Sequence, residues 1–408
     1  MPGLVAVPEV PRYVPAQLTT ETLDYADLPV IDLSKARSTP EAFQELAGEV
    51  GSAMSAQGFL YVINHGYTPP QACHSDGSVV TILTKCMDRF RRSAFSTLPT
   101  FHSHYQKMRR SFMMPNRLKQ DPSKASNLGN TGISKEESET NWSSTTVACH
   151  HTLDIGLGTE IMLVNKNVSR RNHPEAIRPF LPEVEAFSRH NHFNVVQPIL
   201  RLLATGLELP ENTLVDMHDF SSNGESHVRF MKYYPRSEDD EIKSQNLWLK
   251  GHTDIGSITL LYSQPVMALQ ILGVDGKWKW VKHIENAIIV NIGDALEFLS
   301  GGYYKATIHR VVQPPADQRT VARLGIGYFT ILDHHVKLAP LTDSPVLQRV
   351  GIQRRFESDD NAPTMEEWRK GRSLAYGHPK TVWKTGEQQG EAKVDEEIIN
   401  GIVLKHYK

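Results

Sequence analysis

Cysteine is scarce in this chain: Cys73, Cys86 and Cys149 are the only three among 408 residues. So few thiols, so widely scattered, exclude a disulfide framework and a cysteine-built zinc site. A surplus of charge is missing too. With 44 Lys and Arg against 46 Asp and Glu, the formal net charge is -2, which gives no sign of a nucleic-acid or anionic-membrane partner. No apolar run approaches the roughly 18 residues that span a bilayer. The start, "MPGLVAVPEVPRY", lacks the basic stretch and apolar core of a secretory signal. The expectation is a cytoplasmic protein with a small-molecule partner. Its composition, 39% hydrophobic and 22% charged, is that of a globular protein long enough to bury a substantial core.

What is present divides into five regions. Residues 1–27 are proline-rich and polar, and are expected to form an extended arm. Residues 28–160 begin with a strand, "LPVIDLS". A helix follows, with Thr39 placed to cap it, Pro40 in its first turn and Phe43, Leu46, Ala47, Val50 and Met54 on one face. Gly58 stops that helix before the strand "FLYVI" and the turn "NHG", in which His65 reads as structural. From Tyr67 to about Leu163 the pattern blurs, and "CHSDGSVVTILTK" fits neither flank. Either the region is divergent or the gene model is faulty there.

Residues 161–225 provide helical support, with a helix over 183–209 and a kink at Pro198. Residues 226–335 turn to β. Short runs such as "HVRFMKYYP", "SITLLYS", "AIIVNIG", "YKATIHRVV" and "ARLGIGYFTIL", split by turn chemistry, predict an antiparallel sandwich or jelly roll. In "KWKWV", Trp278 and Trp280 are expected to pack one face of a hairpin. Residues 336–408 hold the helix "TMEEWRKGRSLAYG" and a loose charged tail. The fold class is therefore mainly β with flanking helices.

Within the β region, "GHTDIGSITLLYS" carries His252 and Asp254 two apart, so on a strand both side chains project from one face. The similar "HHTLDIGLGTE" spaces His151 and Asp154 three apart, which would send them to opposite faces. That copy is treated as coincidence, as is "HSD" at His74. Spacing alone decides little among 18 histidines. His309 in "YKATIHRVV", on another predicted strand, completes two imidazoles and one carboxylate, the facial triad of non-haem Fe(II) oxygenases. Arg323, in "ARLGIGYF", shares a strand face with Gly325, Gly327 and Phe329. A guanidinium inside a barrel needs an anionic partner, such as a dicarboxylate.

Together these segments resemble the iron- and 2-oxoglutarate-dependent dioxygenases of the isopenicillin N synthase-like family. "HTDIGSITLLYS", "VNIGDALEFLSGGYYKATIHRVVQPP" and "ARLGIGYF" carry the resemblance, with "LPVIDLS" and "GFLYVINHG" as the amino-terminal hallmark. Matching segments cover roughly 28–66 and 180–335. The resemblance implies an enzyme with a double-stranded β-helix core. It implies Fe(II) on His252, Asp254 and His309, O2 as oxidant, and 2-oxoglutarate with its far carboxylate on Arg323.

The family's tyrosine motif appears as "KYYP", which gives Tyr234 a cosubstrate contact and, by alternation, makes Phe230 a candidate wall of the cavity. Phe329 is the other. The implied reaction is oxidation, by default hydroxylation, of an unactivated C–H bond of a small organic molecule, with release of succinate and CO2. Two departures stand out. Lys232 replaces an asparagine and Gly325 a serine, each removing a polar cosubstrate contact. Two alternatives stay open: a same-fold iron oxidase that uses no 2-oxoglutarate, and a non-catalytic barrel that binds a small acid.

Overall fold

The computed structural model describes residues 14–67, 158–164, 181–221, 225–377 and the strands 384–389, 392–399 and 402–407. The three cysteines, His74, the His151–Asp154 copy and most of the blurred stretch lie outside the described residues. The first helix, α1 (Pro40–Ala56), starts as its sequence dictates. Thr39 Oγ1 accepts the Ala42 N–H at 3.2 Å, a cap worth about 1 kcal/mol, and Pro40 has no amide to leave unpaired. Leu46, Ala47, Val50 and Met54 are buried beneath it. His65 is buried in the turn after the next strand, with Nε2 3.1 Å from the Asn286 carbonyl.

The long helical segment is α2 (Leu181–His190) and α3 (Gln197–Gly206), joined by a π-helical turn over Asn191–Val196. The expected kink is that π turn, upstream of Pro198. Pro198 offers no N–H to the Asn194 carbonyl, which instead accepts from Arg37 Nη2 at 3.3 Å.

Two seven-stranded sheets form the core. The first runs in the order β1 (Val30–Asp32), β2 (Phe59–Ile63), β9 (Ile288–Ile292), β6 (Ile258–Tyr262), β11 (Arg323–Thr330), β4 (His227–Tyr233), β3 (Gly158–Val164). The second runs β12 (Lys384–Gln389), β13 (Ala392–Ile399), β14 (Ile402–Tyr407), β5 (Leu247–His252), β10 (His309–Val312), β7 (Leu269–Leu272), β8 (Trp278–Trp280). Neighbours in space are mostly distant in sequence, and the strands wind between two sheets as a double-stranded β-helix. Short helices α4 (Glu238–Ser244), α5 (Asp294–Leu299), α6 (Pro345–Val350) and α7 (Met365–Gly377) sit between or after the strands.

Alternation sorts the first sheet into two faces. Phe59, Tyr61 and Ile289 point into the hollow and pack with Leu269 and Ile271 of the second sheet. Leu60, Val62, Leu260, Val290, Ile326 and Tyr328 point the other way, into the layer of α1 and α3. Phe230 belongs to that second set and is 1% exposed among the helices. The expectation that it lines the cavity is therefore corrected. Its position on β4 is even-numbered, and the hollow takes the odd ones.

The carboxy-terminal stretch, read as a loose tail, instead contributes β12–β14, a meander joined to β5 through the Tyr407–Gly251 pair. Its charged residues mask a strand pattern whose partner lies more than 150 positions away. At the sheet's other edge, Trp278 pairs with Leu272 and Trp280 with Gln270, the hairpin expected of "KWKWV".

Candidate metal centre

His252 ends β5 and His309 begins β10, and the two are directly paired across the antiparallel ladder. Directly opposed residues share a face, so their rings meet with centroids 4.5 Å apart. Each ring is oriented from behind. His252 Nδ1 lies 2.8 Å from the Lys250 carbonyl and His309 Nδ1 lies 3.1 Å from the Thr307 carbonyl. A carbonyl oxygen only accepts, so each Nδ1 carries the proton and each Nε2 keeps a free lone pair aimed inward.

Asp254 reaches the same point by a different route. The HxD spacing anticipates one strand, yet β5 stops at His252 and Asp254 sits in the following loop. Backbone contacts fix that loop. The Ser257 N–H donates to the Thr330 carbonyl (2.9 Å), Gly293 N–H to Ser257 (2.9 Å), Asp294 N–H to Asp254 (2.8 Å) and Ala295 N–H to Gly256 (3.0 Å). Segments cross so closely there that a Cβ on Gly256 would lie 2.3 Å from the Thr330 oxygen. The "DIG" turn thus requires its glycine.

Asp254 Oδ1 stands 3.7 Å from His252 Nε2 and 3.7 Å from His309 Nε2. Its other oxygen, Oδ2, accepts hydrogen bonds from Thr259 Oγ1 (2.7 Å) and Asn291 Nδ2 (2.8 Å). The carboxylate therefore offers one oxygen to the cluster and keeps the other tied to the wall. Burial, reinforced by the neighbouring His309, pushes His252 down to about 3, which keeps it neutral. Burial pushes the Asp254 carboxyl up, but the two imidazoles and the Asn291 and Thr259 hydrogen bonds outweigh it and hold the group at about 2.

Atoms coordinated to one divalent ion at about 2.0–2.2 Å lie roughly 3–4.4 Å from one another, so 3.7 Å suits a shared ion. Among the described residues, His252, Asp254 and His309 are the one group of His, Cys, Asp or Glu whose ligand atoms converge in this way, all within 4.8 Å.

Arg323 opens β11 in the same hollow, 4% exposed. It pairs with Tyr233, which puts both side chains on one face, and its guanidinium carbon is 5.8 Å from the Tyr233 ring centroid. Nε has no hydrogen-bond partner, and among the described residues no carboxylate pairs with the guanidinium. Burial pushes its pKa below the ordinary arginine value, and Tyr233 acts in the opposite sense.

Tyr234 lies beyond the end of β4, where Lys232 Nζ is 5.2 Å from its ring centroid. The tyrosine opposite Arg323 is therefore Tyr233. Lys232 pairs with Leu324 and lies on the face away from Arg323. At Gly325, the position of the missing serine, the Met231 methyl closes over the backbone, 3.0 Å from where a Cβ would be. Phe329 is half-buried in the hollow. It pairs with Thr259, stacks on His227 at 5.2 Å and carries the Arg229 guanidinium 5.3 Å from its centroid.

Sequence reasoning missed Thr259 and Asn291. Asn291 left a signal, as the one polar residue in the otherwise apolar strand "IIVNI".

The sequence places this geometry in a known group. A family model described as the 2OG-Fe(II) oxygenase superfamily matches residues 225–330. A 2-oxoglutarate-dependent dioxygenase of Gibberella zeae is 35% identical over 214 residues, 52% of this chain and 57% of the relative. The chain thus spans little more than half the length of that relative. A 2-oxoglutarate-dependent dioxygenase of Amanita muscaria is 31% identical over 159 residues, 38% of this chain and 74% of the relative. The chain belongs to the 2OG-Fe(II) oxygenase superfamily.

Scopoletin 8-hydroxylase of Arabidopsis thaliana, 24% identical over 367 residues, covers 87% of this chain and 85% of itself. The solved structure of a full-length Neurospora crassa protein in complex with alpha-KG and 5-formyluracil has a TM-score of 0.58 at 19% identity, over 87% of this chain and all of that one (100%). That likeness speaks for the fold. For a 2OG-Fe(II) oxygenase the donor set fits: two imidazoles, one carboxylate oxygen, and a buried cation left for a dicarboxylate.

Proposed function

We propose that His252, Asp254 and His309 hold Fe(II), that Arg323 receives the far carboxylate of 2-oxoglutarate, and that the enzyme hydroxylates a C–H bond of a small organic molecule. Fe(II), when bound, supplies the activation of O2 that couples decarboxylation of 2-oxoglutarate to oxidation of the substrate. In the balanced reaction, substrate, 2-oxoglutarate and O2 give hydroxylated substrate, succinate and CO2.

The chain's own residues position and shield. His252 and His309 present Nε2 lone pairs fixed by their Nδ1–H contacts to Lys250 and Thr307. Asp254 contributes one negative charge through Oδ1, and Thr259 and Asn291 keep Oδ2 from turning in as a further ligand. Tyr233 and Met231 wall the cosubstrate end beside Arg323. Phe329, stacked on His227, gives a flat apolar surface near the metal end against which a substrate can rest.

The core of this activity lies in residues 226–335, with residues 28–160 shaping the substrate side. A cytoplasmic setting, which keeps iron reduced, belongs to the same reading. One observation carries it. A metal-ready triad and a buried arginine that no carboxylate among the described residues pairs with open onto one hollow. The test is succinate formation from 2-oxoglutarate by protein reconstituted anaerobically with Fe(II) and then given O2, beside His252→Ala. Succinate well above the variant's level supports the reading, and equal rates overturn it. Oxidised product without succinate would move the chain to the oxidase alternative.

A further inference from the structure

The loop between the two ligand positions of the HxD motif is gripped from behind by a helix that begins more than 100 residues later. Arg372, on α7, is 2% exposed. Its Nη2 donates to the Thr253 carbonyl at 3.0 Å, and its Nη1 lies 3.3 Å from Asp294 Oδ2. Asp294 opens α5 and touches the same loop, its N–H donating to the Asp254 carbonyl at 2.8 Å. The peptide groups on both sides of Asp254 are therefore held, one by a guanidinium and one by a helix amide.

The helix is also anchored by apolar packing. Met365 and Trp368 are fully buried in the main core, and Trp368 meets Phe298 edge-on at 5.0 Å. Trp368 docks the helix and its ring centroid lies 5.8 Å from the Arg372 guanidinium carbon, while Arg372 reaches on to the loop.

We propose that Arg372 is a positioning residue for the metal centre, acting through Asp294 and the Thr253 carbonyl to fix the separation of His252 from Asp254. The physical reason is geometric. Asp254 lies outside any strand, so its place relative to His252 depends on the Thr253 peptide, and a free rotation there would move Oδ1 out of the cluster. A guanidinium that donates to the Thr253 carbonyl while its other end is held in an ion pair with Asp294 fixes that peptide in direction as well as distance, which a point charge does not. Partners one step behind metal ligands typically control affinity by about 10- to 100-fold. The inference rests on the triad reading above.

The test is titration of the full-length apo protein with Co(II), followed in the visible ligand-field bands, for wild type, Arg372→Gln, Arg372→Lys and Trp368→Phe. Arg372→Gln is expected to weaken Co(II) by about 10- to 100-fold and to change the band pattern. Arg372→Lys keeps the charge beside Asp294 but not the fork, and is expected to fall between, with a loss of roughly three- to tenfold. Should Arg372→Gln not fold, the lysine variant decides. Trp368→Phe loosens the helix but keeps an aromatic face beside the Arg372 guanidinium, and is expected to retain wild-type affinity whatever it does to the melting temperature. Affinity within about twofold of wild type in the Arg372 variants overturns the proposal, as does an equal loss in Trp368→Phe. Failure of the wild type to take up Co(II) would strike the triad reading instead, so the two failures are distinguishable.

Discussion

Arg323 and Arg372 are buried almost equally, 4% and 2% exposed, and the fold treats them in opposite ways. Arg372 has a carboxylate at 3.3 Å and a carbonyl at 3.0 Å, both from the protein. Among the described residues Arg323 has neither, and the ring of Tyr233 is its aromatic neighbour. Burying a guanidinium without an anion is costly, and natural chains rarely keep one so. The difference separates a cation that completes the structure from one that awaits a ligand. One stiffens the loop that carries Asp254, and the other waits within the hollow.

Stability is where this contrast is most exposed to failure. Replacing Arg372 by Met leaves Asp294 buried and unpaired and is expected to cost about 3–5 kcal/mol in chemical denaturation. Arg323→Met removes an uncompensated charge, so the apo protein should melt at a higher temperature than wild type. If both variants are destabilised alike, Arg323 has a partner within the fold and the contrast fails. In turnover the order is expected to reverse for the cosubstrate. Loss of a charge-assisted contact worth about 1.5–3 kcal/mol should raise the KM for 2-oxoglutarate roughly 10- to 150-fold in Arg323→Met, measured by succinate release.

A smaller effect is expected at the metal end. Thr259→Val leaves Asn291 as the one donor to Asp254 Oδ2, and Co(II) affinity should fall about tenfold. An unchanged affinity would mean that the second oxygen needs no restraint. Gly325→Ser should act in the opposite direction. The new Cβ meets a Met231 methyl at 3.0 Å, a flexible end that can yield, and the hydroxyl can add a cosubstrate hydrogen bond worth about 0.5–1.5 kcal/mol. A roughly two- to tenfold lower KM for 2-oxoglutarate is expected, and a higher KM would show that Met231 cannot move.

The smallest effect concerns another buried group. His218 donates from Nδ1 to the Leu214 carbonyl at 2.6 Å and accepts at Nε2 from Ser257 Oγ at 2.7 Å, behind the metal loop. Burial pushes it down from 6.5 to about 4, so the unfolded chain binds its proton first as pH falls. Stability from this group is therefore fully present above about 6.5 and is lost progressively toward 4. The loss at about pH 6 should be under about 1 kcal/mol, and His218→Gln should flatten the slope of melting temperature against pH over that window. A slope unchanged in the variant would assign the titration elsewhere.

Much of the site was legible because its chemistry is periodic. His309 and His252 sit on paired strands, Arg323 heads a strand, and the capped helix α1 begins at Pro40 where Thr39 predicts. Errors arose where register or distance decided. Counting alternation from Tyr234 put Phe230 in the cavity, whereas the Arg323–Tyr233 pair assigns the hollow to the odd-numbered residues of β4. No local pattern shows that Lys384–Tyr407 extends a sheet edge at Gly251, or that Arg372 reaches a carbonyl 119 residues before it. Such partners are set by the tertiary arrangement, and a single sequence carries no trace of them.

The metal assignment meets its sharpest trial in anaerobic Fe(II) titration of the apo protein, with bound iron counted after desalting, in wild type and in His252→Ala, Asp254→Ala and His309→Ala. One ion per wild-type chain, lost in each of the three variants, is the expected result. A tightly held ion that survives all three substitutions would contradict it.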